Sequence, residues 1–285
     1  MGFDGVWERI FSANGKYFAD LDMNTVKVYK ITVRSHETEL SLHMRVSDGR
    51  CIRFTHDCSR LVVGHYASTA DISVWDLATK EKLLCINPPR GQRSIDITPD
   101  DTRIVGLDGR NLICWSLDTG ELIDGYGNYS DSHLDYLVLS TDSQFALAKR
   151  WDDNKIRALC FEQRSRGIVL QGHRGPPRSL ACSDANPHRV ISSGSSDMTV
   201  KLWTLPTTES LRGDVQGLAP SEELVIDCDA TFIGHEDSVS SVVFCPDERW
   251  VVSGSADGSV RFWDSTDGTC VLLLYGNVGT VGKEC

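Results

Sequence analysis

Val251-Val-Ser-Gly-Ser-Ala-Asp-Gly-Ser-Val-Arg-Phe-Trp263-Asp264 decides how this chain folds, because the chain carries the pattern twice. Val190-Ile-Ser-Ser-Gly-Ser-Ser-Asp-Met-Thr-Val-Lys-Leu-Trp203 is the other copy, and Gly172-His173 and Gly234-His235 stand ahead of the two. Short runs of β-branched and aromatic residues are broken by Ser-Asp and Ala-Asp-Gly turns, which reads as strands. Weaker copies end at Thr25-Val-Lys-Val-Tyr29, Asp71-Ile-Ser-Val-Trp75-Asp76, Asn111-Leu-Ile-Cys-Trp115 and Lys155-Ile-Arg-Ala-Leu159. The anchors at 29, 75, 115, 159, 203 and 263 are 46, 40, 44, 44 and 60 residues apart, and the widest gap holds a polar stretch at 206–223. Without that insertion the period is about 40–45, the length of a four-stranded unit.

A sheet of four short strands cannot hide both faces alone, so the units must stack on one another. The expected fold is all-β, with six four-stranded antiparallel units at 3–46, 50–87, 92–127, 134–172, 177–234 and 238–276 in one domain spanning 1–285. The last unit reads as strands over 239–245, 250–254, 259–264 and 269–275. Gly276-Asn-Val-Gly-Thr-Val281 aligns with Gly234-His-Glu-Asp-Ser-Val239, so 277–285 reads as the stub of a seventh unit. Either six units close, or a gap leaves two exposed edges that invite pairing with another chain. The insertion at 206–223 reads as a solvated disordered loop, with a regulated docking segment as the alternative.

These residues resemble the WD40 family over nearly the whole chain, and the resemblance implies a β-propeller of such units, or blades. It also implies a hydrogen-bonded line in each unit. The Gly-His imidazole meets the turn Asp and a Ser on the second strand, and that Ser meets the indole of the third-strand Trp. The complete sets would be His173, Ser193, Asp197, Trp203 and His235, Ser253, Asp257, Trp263. The first unit places Phe3, Ala19, Met23 and Tyr29 in the equivalent positions, and the fourth keeps Asp153 but has Leu159 for Trp. Partial loss of such a line strands buried polar groups at ~1–3 kcal/mol, so units two to four are expected to be looser than five and six.

A narrower likeness lies at both ends. Val6-Trp-Glu-Arg-Ile-Phe-Ser-Ala-Asn-Gly-Lys-Tyr-Phe-Ala19 with Thr25–Tyr29, and Cys228-Asp-Ala-Thr-Phe-Ile-Gly-His-Glu-Asp-Ser-Val239, resemble fungal Tup-type (Groucho-like) general transcriptional corepressors. That resemblance implies a nuclear scaffold recruited by DNA-binding repressors, with transcription factors, corepressor subunits or histone tails as partners. Those corepressors carry an N-terminal helical tetramerisation segment and seven blades. This chain begins at the first unit, so a truncated or decaying paralogue is an alternative, as is an adaptor, substrate receptor or sensor propeller of another pathway.

The formal net charge of −11, with no basic cluster, argues against a grip on nucleic acid phosphates. Ten scattered cysteines without a C-x-x-C pair read as reduced core thiols of an intracellular protein, nuclear by resemblance or cytoplasmic. The N-terminus lacks a signal-peptide core, Val6 stands where myristoylation after Gly2 requires Ser or Thr, and no apolar run is long enough to span a membrane. Asp20-x-Asp22-x-Asn24 begins like a calcium loop, but Thr25 and Ile31 replace the Gly and Glu it needs. Cys51, His56, Cys58 and His65 match no common zinc spacing. There is no phosphate loop and no nucleophile elbow, and a Ser-His-Asp set present twice belongs to the repeat. No enzyme activity, cofactor or metal is expected. Propellers bind partners on the rim of turns, here Arg174, Gly175, Pro176 and Ser196 with Glu236, Asp237, Ser238 and Ala256, which makes a non-catalytic protein-binding scaffold the leading reading.

Overall fold

The computed structural model describes residues 6–22, 24–32, 37–46, 49–65, 71–108, 111–126, 134–150, 152–161, 167–213 and 223–276. Phe3, Met23 and the proposed stub at 277–285 lie outside the described residues. Sheet one comprises β1 (Val6–Phe11), β2 (Tyr17–Asp22), β3 (Thr25–Thr32) and β4 (Glu37–Arg45). Sheet two is β5 (Gly49–Phe54), β6 (Arg60–His65), β7 (Ile72–Asp76) and β8 (Lys82–Ile86). Sheet three is β9 (Ser94–Ile97), β10 (Arg103–Leu107), β11 (Leu112–Ser116) and β12 (Leu122–Tyr126). Sheet four opens with β13 (Leu134–Leu139), β14 (Phe145–Arg150), β15 (Lys155–Cys160) and β16 (Gly167–Gln171). Sheet five holds β17 (Pro177–Cys182), β18 (Arg189–Gly194) and β19 (Val200–Thr204) and, after α1 (Thr208–Gly213) and β20 (Leu224–Asp227), β21 (Ala230–Phe232). Sheet six is β22 (Val239–Phe244), β23 (Trp250–Ser255), β24 (Ser259–Asp264) and β25 (Cys270–Tyr275). Six sheets, each with four antiparallel strands and one of them with a fifth strand added, are the sheet content of a WD40 β-propeller. The chain forms two compact units, Met1–Leu137 and Val138–Cys285, with the division inside β13.

One turn recurs between the first two strands of the sheets. Ser12, Thr55, Thr98 and Ser140 donate through the hydroxyl to Asn14, Asp57, Asp100 and Asp142. Those same side chains accept the amides of Lys16, Ser59, Thr102 and Gln144. The residue that follows the Asn or Asp has positive φ: Gly15, Cys58, Asp101 and Ser143, with Glu248 at the same place in sheet six. A short side-chain carbonyl that caps its own turn fixes this conformation locally. The turn therefore survives in sheets one to four, where the His-Ser-Asp-Trp line does not. Asp22, part of the calcium-like stretch, is engaged in the same way by the amides of Asn24 and Thr25 and the Thr25 hydroxyl.

Packing between consecutive sheets follows one rule within each unit. The anchor row of the following sheet meets the adjacent, out-of-phase row of the preceding one. In the first unit, the Val28–Ala19 row of sheet one packs with the Trp75–Leu61 row of sheet two. The Val74–Val62 row of sheet two packs with the Trp115–Ile104 row of sheet three. In the second unit, Leu202–Ile191 of sheet five packs with Trp263–Val251 of sheet six. Alternation along each strand puts one row on each face, so each sheet offers an anchor face and a receiving face.

Three expectations need correction. The insertion is ordered at its start: 208–213 forms α1, held by the fully buried Leu211. Just after the insertion the chain returns as β20, which runs parallel along β16 as a fifth strand of sheet four and covers that edge. Cys85 and Cys270 are exposed and not core thiols, although every described cysteine is free. Cys51 is buried, and burial foremost pushes its thiol up to about 12. His56 pairs instead with Asp101, and among the described residues no His, Cys, Asp or Glu cluster could hold a metal ion. Among the described residues no helix is long and apolar enough to cross a membrane.

Asp101 links neighbouring turns, since its carboxylate accepts the amides of both His56 and Asp57 at 2.8 Å. Asp101→Ala removes both bonds and should lower stability by about 1–3 kcal/mol. Urea unfolding reads this directly, and an unchanged midpoint would contradict the linkage.

Candidate functional site

The two copies of the deciding pattern build the same buried line. His173 Nδ1 lies 2.8 Å from Asp197 Oδ2, and His235 Nδ1 lies 2.7 Å from Asp257 Oδ2. On the other side of each ring, Nε2 stands 2.7 Å from a serine hydroxyl, Ser192 in sheet five and Ser253 in sheet six. Trp203 and Trp263 each donate the indole N–H to that serine at 2.8 Å. The protons have one consistent direction: indole to serine, serine to imidazole, imidazole to carboxylate. No polar atom in the line lacks a partner, which burial demands. The glycine before each histidine has a steric cause. A Cβ at Gly172 or Gly234 would sit 3.2 or 3.1 Å from the edge of the tryptophan ring.

Ser193 is not in the line. It lies on the other face of β18 and accepts the Ser179 amide at 3.0 Å, while Ser192 takes the position between His173 and Trp203. The turn after β18 is one residue longer than its counterpart: Ser193 pairs with Val200, whereas Gly254 pairs with Val260. Counting back from Asp197 therefore lands one residue late, and a one-residue slip on a strand moves a side chain to the opposite face. The signal that finds Ser192 is register: it lies two residues beyond the strand partner of Trp203, as Ser253 does for Trp263. By the same register the equivalent in sheet one is Asp20, which pairs with Arg9, and not the buried Ala19.

The other sheets solve the problem differently. In sheet two, Trp75 donates to Ser73 on its own strand. In sheet four, Leu159 replaces the indole, and Asp153 turns to Arg157 at 2.9 Å. A hydrolase reading of Ser-His-Asp fails on access: Ser192 and Ser253 are buried, and each hydroxyl is committed to both an imidazole and an indole.

The line also fixes two turns that face solvent. Asp197 and Asp257 accept the amides of Arg174 and Glu236 at 3.1 and 3.0 Å. The side chains of Arg174, Ser196, Glu236, Asp237 and Ala256 are exposed there, and Pro176 is half-buried. Gly175 is buried against Ser196, and Ser238 is half-buried and bonded to Ser195, so neither is openly presented. Arg174, Gly175 and Pro176 line a groove of about 430 Å³ together with Arg150, Asp152, Asp153 and Asn154 of sheet four. The repeat pattern does not single out Arg150, Asp152 or Asn154, because sheet four has lost its anchor. Asn154, which lines the groove, donates to the His173 carbonyl.

The WD domain, G-beta repeat family matches residues 164–204 and 226–264, so the two segments that hold the complete lines are WD40 repeats. The chain is 24% identical to the SIR4-interacting protein SIF2 of Saccharomyces cerevisiae over 89% of its own length and 46% of that protein's. It is 24% identical to the guanine nucleotide-binding protein subunit beta of Nicotiana tabacum, over 71% of this chain and 52% of that one. Transcriptional repressor rco-1 of Neurospora crassa is 48% identical over 54 residues, 19% of this chain and 9% of the repressor. The chain spans about half or less of the length of these relatives.

Ser192→Ala leaves the Trp203 N–H and the His173 ring without their shared partner and should cost about 1–3 kcal/mol. Ser193→Ala gives up one backbone bond and should cost clearly less; equal losses in urea unfolding would contradict the register. Acid supplies a second test. Burial alone would raise the Asp197 carboxyl, but its bond to His173, the electrostatic attraction of that ring and the Arg174 and Thr199 amides outweigh burial and hold it at about 2. Asp257 is also held below the carboxylate range, where burial is outweighed by the Ser259 hydroxyl, the Glu236 amide and His235. A carboxyl lowered on folding contributes stability that is complete above its unfolded value near 4 and is lost as pH falls towards about 2, on the order of 2 kcal/mol for Asp197. Asp197→Asn should flatten the loss of stability between about pH 4 and pH 2. An acid slope identical to that of the wild type would contradict this.

Proposed function

We propose that this protein is a non-catalytic scaffold that binds other proteins through the turns of sheets five and six. One observation carries the reading. The buried Ser-His pairs of sheets five and six end on Asp197 and Asp257, which hold the backbone of two turns whose side chains reach solvent, so the fold preorganises a face without consuming it. That face offers Arg174 above a polar groove on one side and Glu236 and Asp237 on the other, a pattern suited to an extended peptide bearing both charges.

Within that class we favour a corepressor-type scaffold acting in the nucleus, with DNA-binding repressors, corepressor subunits or histone tails as partners. The short stretch shared with a transcriptional repressor and the Tup-like patterns at Val6–Ala19 and Cys228–Val239 support it. The acidic balance, −11 overall, disfavours direct contact with nucleic acid. One continuous propeller over 1–285 is part of this reading, supported by the six consecutive sheets.

The double substitution Arg174→Glu with Asp237→Arg should reduce capture of bound proteins at least tenfold while leaving the circular dichroism spectrum unchanged. Affinity capture followed by mass spectrometry reads both points. Transcription-factor or deacetylase partners lost in the variant support the proposal. A partner set that survives intact removes this face, and one built of ubiquitin-ligase subunits replaces the corepressor reading.

A further inference from the structure

Ser192, Lys201 and Thr231 form one row across β18, β19 and β21 of sheet five. Directly opposed residues on neighbouring strands share a face, so Lys201 lies on the face of the buried line. It is only 7% exposed. Its Nζ donates to Thr231 Oγ1 at 2.7 Å and stands 3.7 Å from Cys228 Sγ, and that sulfur is 3.5 Å from the same hydroxyl. An ammonium carries three donors, and sulfur is a weak acceptor. Among the described residues no carboxylate reaches Lys201, so a buried cation rests on one hydroxyl and one thiol. Burying a charge without a counter-charge is costly, and packing alone does not account for this set of residues.

The equivalent row of sheet six is Ser253, Arg261 and Leu273. There the cation lies 5.8 Å from the centroid of the Trp263 ring, and an apolar side chain is opposite it. Sheet five has an amine beside a thiol instead. Cys228 is the residue where the chain leaves β20 and enters β21, and it is half-buried, so a small oxidant reaches its sulfur. Gly172 packs against the pair: a Cβ there would stand 3.5 Å from Cys228 Sγ and 3.7 Å from Lys201 Cδ. Other thiols are placed differently. Burial foremost pushes those of Cys51 and Cys114 up to about 12 and about 11, with no lysine bonded to either among the described residues.

We propose that Lys201 and Cys228 form a redox modification site, at which peroxide joins the two side chains through a sulfur–nitrogen bond. Peroxide transfers one oxygen to the Cys228 thiol, which becomes a sulfenic acid as one water leaves. The Lys201 ammonium releases a proton to water, and its nitrogen lone pair attacks the sulfur. The sulfenic hydroxyl departs with the second amine proton as water, which leaves a sulfenamide. One thiol, one ammonium and one hydrogen peroxide thus give one sulfenamide, two waters and one proton. Sulfur loses two electrons and peroxide gains them. Two equivalents of a small thiol reverse the step, restoring thiol and amine and leaving as a disulfide. Nitrogen and sulfur are already in contact at 3.7 Å, so a side-chain adjustment suffices. The bond spans 27 residues, a stretch that includes the insertion, and ties the entry of β21 to β19. It does not depend on the scaffold reading above.

Hydrogen peroxide treatment of the full chain, followed by tryptic digestion and mass spectrometry, tests this. The peptides that hold Lys201 and Cys228 should appear joined, uncut after Lys201, and lighter than their sum by two hydrogen atoms. Dithiothreitol should separate them. Cys228→Ser should abolish the joined species. Lys201→Arg keeps a cation beside Thr231, and should lose the bridge while sulfenic acid at Cys228, trapped with dimedone, rises at least tenfold. Circular dichroism checks both variants, and the wild-type digest decides even where a variant fails to fold. A wild type in which Cys228 stays reduced, or becomes sulfinic acid beside a free Lys201, overturns the proposal. A bridge that retains an oxygen atom overturns the sulfur–nitrogen bond, and equal dimedone labelling of wild type and Lys201→Arg overturns the role of the amine.

Discussion

A sheet of four short strands keeps its fold only while a neighbour covers its apolar faces, and in sheets five and six an indole is placed in that cover. The indole brings a donor into a dry interface, where an unmet N–H costs about 1–3 kcal/mol. Serine, histidine and aspartate lead that requirement step by step to the surface, ending on carboxylates that hold the turns of Arg174 and Glu236. Packing, polar satisfaction and the shape of the exposed face are therefore one arrangement. Sheet four shows the alternative: with Leu159 at the anchor no indole N–H enters the cover, and Asp153 pairs with Arg157.

Much of this was legible in the residues. The spacing of Tyr29, Trp75, Trp115, Leu159, Trp203 and Trp263 locates six sheets because each anchor lies on the third strand of its sheet. Ser192 was not found by counting from Asp197, since one extra turn residue shifts the phase without leaving a mark in composition. Register against Trp203 carries that information, and register is a property of pairs of strands. α1 and β20 were hidden for a related reason. Six residues with a single buried Leu211 give no helical period, and a strand that is added to the edge of an earlier sheet has no partner nearby in the sequence. The Ser/Thr-x-Asp/Asn turn, by contrast, stood in plain view at Ser12, Thr55, Thr98 and Ser140, masked only by its resemblance to ordinary loop composition.

A buried Ser-His-Asp set is chemically the same constellation in a hydrolase and in a structural line; what separates them is where the serine hydroxyl goes. Here it goes to an indole and an imidazole, inside the protein. The surface consequence is a pair of turns whose backbone is held from beneath by Asp197 and Asp257, and the proposed binding face stands on them.

Amide hydrogen exchange on the intact chain tests the central claim most directly, because it reads the cover of each sheet separately. If the satisfied indole line secures the interface, the amides of 190–203 exchange more slowly than those of 134–160, where the line is absent. Faster exchange in 190–203 would show that the line does not hold the sheets together, and the account built on it would fall.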